Sequence, residues 1–309
     1  MTTAGPMLET LTEPLRERLV TALCTAETGA ACPGGDVCER RHARLLRPLR
    51  AAADGDVAVA RVDGALAGFV RLERSTDAGH ALVEVTGQVF PPWRHRGAGS
   101  RLIDWSLDRA AAGAGGTVEV LVDVVDDHEP LGPVLVTRGF APVSAFTELT
   151  RPLRPPLLPA GVPTALVTAL TEADHDAVGQ LYTEIFAGDP HAGRGRAAIA
   201  AALAHPGLRP GASRVARSAG GELLAYLLTV TWPGDPADLW IETIGLRPAA
   251  RGLDLVRRMI ADITRRPPAD AATISIGVPH RRDEAAITGY EELGFTVSGG
   301  WERYSLLLF

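Results

Sequence analysis

The 309-residue chain says the same thing twice, and that repetition constrains its fold more than any other feature. DGALAGFV around Gly64 aligns with GGELLAYL around Gly221, and VFPPWRHRGAGSRLI aligns with LRPAARGLDLVRRMI so that Pro91 meets Pro248; both pairs stand 157 positions apart. Later, Gly139-Phe140 answers Gly294-Phe295 at a spacing of 155. A register kept this closely is the mark of an internal duplication, so one fold is expected to be built twice. Between the copies, RPLRPPLLPAGVP (residues 151–163) holds five prolines and reads as a semi-rigid linker. The expected organisation is one domain over 1–150, the linker, and a second domain over 164–309.

Within each half the pattern runs strand, glycine turn, strand, strand, helix, strand, helix, strand. In the first half DVAVARV and ALAGFVRLE flank Asp63-Gly64, a hairpin signal, and ALVEVTGQVF follows as the next strand. Leu102, Ile103 and Leu107 share one helix face; in the second half Leu255, Val256, Met259, Ile260 and Ile263 do so. TVEVLVDVV then alternates as a strand. At 46% apolar the chain can bury two cores. A net charge of -6 argues against a broad basic face for nucleic acid. No leader and no apolar run of ~20 residues stands out, so a cytoplasmic protein without membrane contact is expected. The chain contains no lysine and no asparagine, which excludes Schiff-base chemistry through lysine.

The turn between the strand end Val89-Phe90-Pro91 and the next helix reads Arg94-His95-Arg96-Gly97-Ala98-Gly99-Ser100. Glycines before a helix start let an anion approach unpaired backbone N–H groups, and Arg94, Arg96, Arg101 and the Ser100 hydroxyl add donors. Phosphate is the natural guest. The spacing is neither that of a dinucleotide-binding loop nor that of a Walker loop. It does fit V-x-P-x-x-R-x-x-G-x-G/A, and with this signature the sequence resembles the GNAT acyltransferase superfamily over nearly its whole length, as two tandem copies. The resemblance implies an α+β fold: two GNAT-type domains, each a mixed, mostly antiparallel sheet flanked by helices. It implies acetyl-CoA as cosubstrate, its pyrophosphate held by Arg94 through Ser100 and its pantetheine arm paired with Gly87, Gln88 and Val89. In the second copy Asp254 stands where Gly97 stands in the first, and a carboxylate there repels the ligand and blocks the backbone approach. The second site is expected to be empty.

Acyl transfer to an amine needs a neutral nucleophile, donors for the developing oxyanion and an acid for the departing thiolate. In the family a tyrosine of the later helix often supplies the acid. Here that position is Tyr290 in the second half and Leu135 in the first, where His128 takes the place of the usual asparagine. The end of the first half's fifth strand, VDVVDDHEP, offers Asp123 where related acetyltransferases carry a general base, and Glu84 on the fourth strand is a second candidate. The second half offers Glu242 with Tyr290. Chemistry in the first half, with Glu84, Asp123 and His128, is the preferred expectation. The tandem layout is similar to that of the mycothiol synthases, where the C-terminal copy works, so catalysis by the second half is the alternative. A non-catalytic coenzyme A-binding or assembly protein is the rival of a different class.

All three cysteines fall in CTAETGAACPGGDVCERRH: Cys24, Cys32 and Cys38, with His42 four residues after the last. Three thiolates and an imidazole make a closed tetrahedral zinc site, so a structural Zn2+ is expected there. The same spacing occurs in zinc fingers that bind single-stranded RNA, but this segment lacks the aromatics on which bases would stack. The reading as a whole is an acetyl-CoA-dependent N-acyltransferase acting on a small amine.

Overall fold

The computed structural model describes residues 6–28, 55–77, 80–112, 116–125, 131–157, 166–186, 195–232, 235–251, 254–279 and 284–309. The chain divides into two compact units, of which only the second is contiguous: the first takes 1–145 with 301–309, the second 146–300. This corrects the expected boundaries. The chain leaves the first unit partway along strand β6 (Ala141–Pro152) and returns to it partway along the last strand, β12 (Thr296–Leu308). Residues 151 and 152, expected in the linker, belong to β6, and Leu153 is buried with its N–H donating to the Ala272 carbonyl at 2.8 Å. Residues 158–163 of that segment lie outside the described residues.

In the first unit β1 (Met7–Thr10), β2 (Val57–Val62), β3 (Ala65–Asp77) and β4 (His80–Val89) form an antiparallel run. β5 (Val118–Val125) joins β4 in parallel, and residues 301–308 of β12 pair antiparallel with β5. The sheet is therefore mixed and mostly antiparallel, as expected for an α+β fold. The Asp63-Gly64 dipeptide makes the two-residue hairpin between β2 and β3, with Val62 opposite Ala65. Helix α1 (Glu13–Thr28) lays Leu15, Leu19 and Leu23 on Val57, Val59 and Phe69. On the other face α2 (Ala98–Ala111) buries Ala98, Leu102, Ser106 and Ala110, spaced every four residues, and the short α3 (Leu131–Val136) buries Leu135. Tyr304 of β12 fills the space beside Gly132, where any side chain on the helix would meet its hydroxyl.

In the second unit β7 (Leu166–Ala169), β8 (Arg214–Arg217), β9 (Leu223–Trp232) and β10 (Asp235–Leu246) run antiparallel. β11 (Thr273–Pro279) joins β10 in parallel, residues 146–152 of β6 pair with β11, and the start of β12 lies beside β6. α4 (His175–Ile185) and α5 (Gly195–Leu203) cover one face through Val178, Leu181 and Ile199. α6 (Leu255–Arg265) covers the other with Leu255, Met259, Ile260 and Ile263, and α7 (Glu284–Glu291) follows β11. The duplication is thus visible in the backbone. Left-handed residues recur at Gly64 and Gly221, Gly97 and Asp254, and Gly139 and Gly294, and a 3-10 turn begins at Pro91 and again at Pro248. Among the described residues no helix is long and apolar enough to cross a membrane.

Candidate active site

In the first unit β4 and β5 pair in parallel only from Ala81/Val118 to Val85/Val122. Beyond that point β4 continues to Val89 against β3 alone, and β5 continues to Val125 against β12, so the two strands part and leave a backbone edge open. Gly87 lies on that edge; a Cβ there would stand 2.6 Å from the Phe69 carbonyl oxygen, which explains the glycine by close strand packing. Gln88 and Val89 follow, half-buried. The chain then makes the Pro91–Trp93 turn, extends at Arg94, takes positive φ at His95 (61°) and reaches Gly97, the N-cap of α2, at φ 81°.

That conformation suits glycine and leaves the mouth of the helix free of a side chain. The first intrahelical bond is Arg101 N–H to the Gly97 carbonyl (3.1 Å), so the N–H groups of Ala98, Gly99 and Ser100 have no acceptor within the helix. No side chain caps them and no acidic residue sits in the first turn. Three donors and the positive end of a 14-residue helix therefore meet beside the open edge of β4. The arginines are partly committed: Arg94 donates to the Val89 carbonyl (3.3 Å), while Arg96 contacts Asp63 (3.4 Å) and lies 5.1 Å over the Trp93 ring.

Of the expected catalytic residues of the first unit, Asp123 and Glu84 both lie near enough to Arg303 of β12 to raise its pKa, Asp123 as its hydrogen-bond partner. Asp123 gives both carboxylate oxygens to Arg303 of β12 at 2.7 Å, and this pairing raises the Arg303 pKa. Both Asp123 oxygens are thus engaged by the guanidinium rather than open to a substrate. Glu84 is exposed, opposite Glu73 on β3 and level with Leu121 on β5. Leu135, at the tyrosine position, is fully buried. His128 lies outside the described residues, as do Cys32, Cys38 and His42; Cys24 is on α1, and its side chain is not among those described. Among the described residues no group of three or more His, Cys, Asp or Glu could hold a metal ion.

The second unit repeats the arrangement with different side chains. β10 and β11 pair from Asp238/Thr273 to Ile241/Ile276 and then part around a cleft of about 280 Å³, whose walls include Glu242, Ile244, Val278 and Tyr290. The β9–β10 register slips between Ile241/Thr229 and Thr243/Leu228, leaving Glu242 as the extra residue of a bulge. The first unit has no such break; its β3–β4 ladder runs unbroken from Gly68/Val89 to Asp77/His80. Glu242 is reached by solvent through the cleft but sits among protein walls. This desolvation pushes its carboxyl above the ordinary value, while His205 opposes the shift. His205 is itself fixed by the Gly207 N–H donating to its Nδ1 (3.0 Å). Tyr290 meets Phe295 edge-on, centroids 5.5 Å apart. Behind the cleft, Gly245 has no room for a side chain because the buried Tyr226 ring lies where a Cβ would be.

The counterpart of Gly97 is Asp254, at φ 53° as the N-cap of α6, its carboxylate 3.3 Å from Arg257. Sequence reasoning had no signal for the bulge at Glu242 or for Arg303 as the partner of Asp123. The lone glycine in IETIGL was the one available hint that something lies close against β10.

Residues 26–140 match the model of the acetyltransferase (GNAT) family. No curated protein matches the chain. Among solved structures, a GCN5-related N-acetyltransferase from Sphaerobacter thermophilus is 17% identical over 98% of this chain and 95% of its own, with a TM-score of 0.71. A tandem GNAT protein from the clavulanic acid biosynthesis pathway is 18% identical over 98% of each chain, TM-score 0.66. The glucosamine N-acetyltransferase region of a fungal multi-domain β-N-acetylglucosaminidase is 14% identical over 99% of this chain and 38% of its own, TM-score 0.72. At these identities the likeness is one of fold. Residues 26–140 are therefore similar to the GNAT acetyltransferase family, and the chain has the fold of tandem GNAT proteins, α+β with a mixed, mostly antiparallel sheet flanked by helices.

Proposed function

We propose that the protein is an acetyl-CoA-dependent N-acyltransferase acting on a small amine, with the coenzyme held by the first unit. One observation carries the reading: Gly97 leaves the start of α2 bare of side chains and of acidic charge, beside the open edge of β4. The N–H groups of residues 98–100 and the hydroxyl of Ser100 would hold the pyrophosphate, and Gly87 to Val89 would pair with the pantetheine arm. Acetyl-CoA would supply the activated acyl group. The amine must shed a proton before its nitrogen forms a bond to the carbonyl carbon, and the C–S bond then breaks to release a thiolate that takes a proton. With both Asp123 oxygens taken by Arg303, the exposed Glu84 of β4 is assigned here the acceptance of the amine's proton. Replacing Gly97 by Asp copies the second unit, and it should abolish both acetyl-CoA binding and amine-dependent release of free thiol. Binding that survives the substitution would refute the assignment; tight binding without thiol release across an amine panel would favour the non-catalytic reading.

A second reading places the chemistry in the second unit, because Glu242 and Tyr290 line one cleft there. Under it, Glu242→Gln and Tyr290→Phe would each lower kcat by about 10²-fold or more while acetyl-CoA still binds. Under the first reading both variants keep near wild-type kcat.

A further inference from the structure

Arg303 of β12 stands at the mouth of the split between β4 and β5. The last paired residues there are Val85 and Val122, and Asp123, the next residue of β5, lies opposite Arg303. Strand alternation puts Glu84, Glu119 and Asp123 on the same face of the sheet as Arg303 and Ser305, while Val120, Val122 and Tyr304 pack into the core on the other. Arg303 donates to Asp123 through Nε and Nη2, each at 2.7 Å, which uses one edge of its guanidinium. Among the described residues no second acceptor meets it, which leaves the edge formed by Nη1 and the other Nη2 hydrogen to a ligand. The side chain keeps 26% of its surface in solvent. A guanidinium edge of this shape takes a carboxylate in two parallel hydrogen bonds.

The surroundings set what else the ligand must carry. Asp123, as hydrogen-bond partner, and then Glu84 and Glu119 raise the Arg303 pKa, with desolvation opposing them. One guanidinium among three carboxylates leaves this face negative, so a ligand that is only an anion would be repelled. Glu73, opposite Glu84, is held by Arg71 at 2.8 Å, whereas among the described residues no cation forms an ion pair with Glu84. A ligand that offers an ammonium to Glu84 and a carboxylate to Arg303 answers both charges.

We propose that Arg303 sets the acceptor specificity of the first unit: its open edge binds the acceptor's carboxylate, so that the small amine is an amino acid. The inference rests on the first unit being the site of acyl transfer. It gives the last strand, which follows the whole second unit in sequence, a part in choosing the substrate.

The test uses the full-length protein with free amino acids and their carboxamides, which keep the amine and differ in the group offered to Arg303. The wild type is expected to acetylate at least one free amino acid with kcat/KM about 10-fold or more above that of its carboxamide, the difference lying in KM. Arg303→Ala should remove that preference, and Arg303→Lys, which keeps the charge without the fork, should restore part of it. A purely structural residue would lower the two substrates alike. Calorimetry with coenzyme A present should show the same preference in binding. Equal use of acid and carboxamide by the wild type, or a preference that survives in Arg303→Ala, would overturn the proposal. Absence of acetylation for every amine refutes the acyl-transfer reading instead, and the calorimetric comparison still decides this one: binding of the acid alone, lost in Arg303→Ala, supports it, and no such binding overturns it.

Discussion

At the scale of single residues, the two copies differ where chemistry is decided. Gly97 and Asp254 share a left-handed N-cap position, yet one presents three bare N–H groups and the other a carboxylate. Gly97→Asp should abolish acetyl-CoA binding, as read by calorimetry. Gly245 is a packing glycine: Gly245→Ala drives a methyl into the Tyr226 ring and should cost about 1–3 kcal/mol, seen as a lower denaturant midpoint at unchanged slope. Glu242 makes a pH prediction. Its folded-state pKa lies above the ordinary value of 4.5, so the unfolded chain releases this proton first as pH rises, and stability falls from about that value through the raised one. Glu242→Gln removes the penalty, so its melting midpoint should exceed the wild type's at pH 7 and converge on it near pH 4. A constant difference across that range would contradict the assignment. The difference between Gly97 and Asp254 is legible in the sequence, whereas the settings of Gly245 and Glu242 are not, because residue type does not say which neighbour a strand residue packs against.

At the scale of elements, the last strand matters most to the first unit. Residues 301–308 run along β5, Tyr304 fills the space beside Gly132, and Arg303 neutralises Asp123. Deleting residues 301–309 should therefore unfold the unit that lies farthest away in sequence, abolishing acetyl-CoA binding, and a fragment of residues 1–150 should behave the same way in a thermal melt. Arg303→Ala alone leaves a half-exposed carboxylate and should cost about 1 kcal/mol or less, since the pair is open to solvent. Strands, helices and the hairpin were readable in each half from periodicity and turn residues. The exchange of strands was not: β6 and β12 open with the same burial pattern for ten residues, so either one could pair with β5 on local grounds.

At the scale of the whole molecule, the acetyl-CoA count should be one per chain by native mass spectrometry. The sequence expectation of a structural zinc at Cys24, Cys32, Cys38 and His42 is checked by elemental analysis: about one zinc per chain, lost in Cys38→Ser, would support it, and none would refute it. By itself the sequence determined the duplication, the α+β class, the glycine turn before α2 and the asymmetry between Gly97 and Asp254. Each of these is a local constraint, written as a glycine, a proline or a period that neighbouring residues enforce. Tertiary structure alone decided the strand exchange, the capture of Asp123 by a residue 180 positions away, and the bulge that turns Glu242 into a cleft. Those depend on which distant strand supplies a backbone edge and a counter-charge, and strand pairing is settled by long-range burial that no short stretch of sequence encodes.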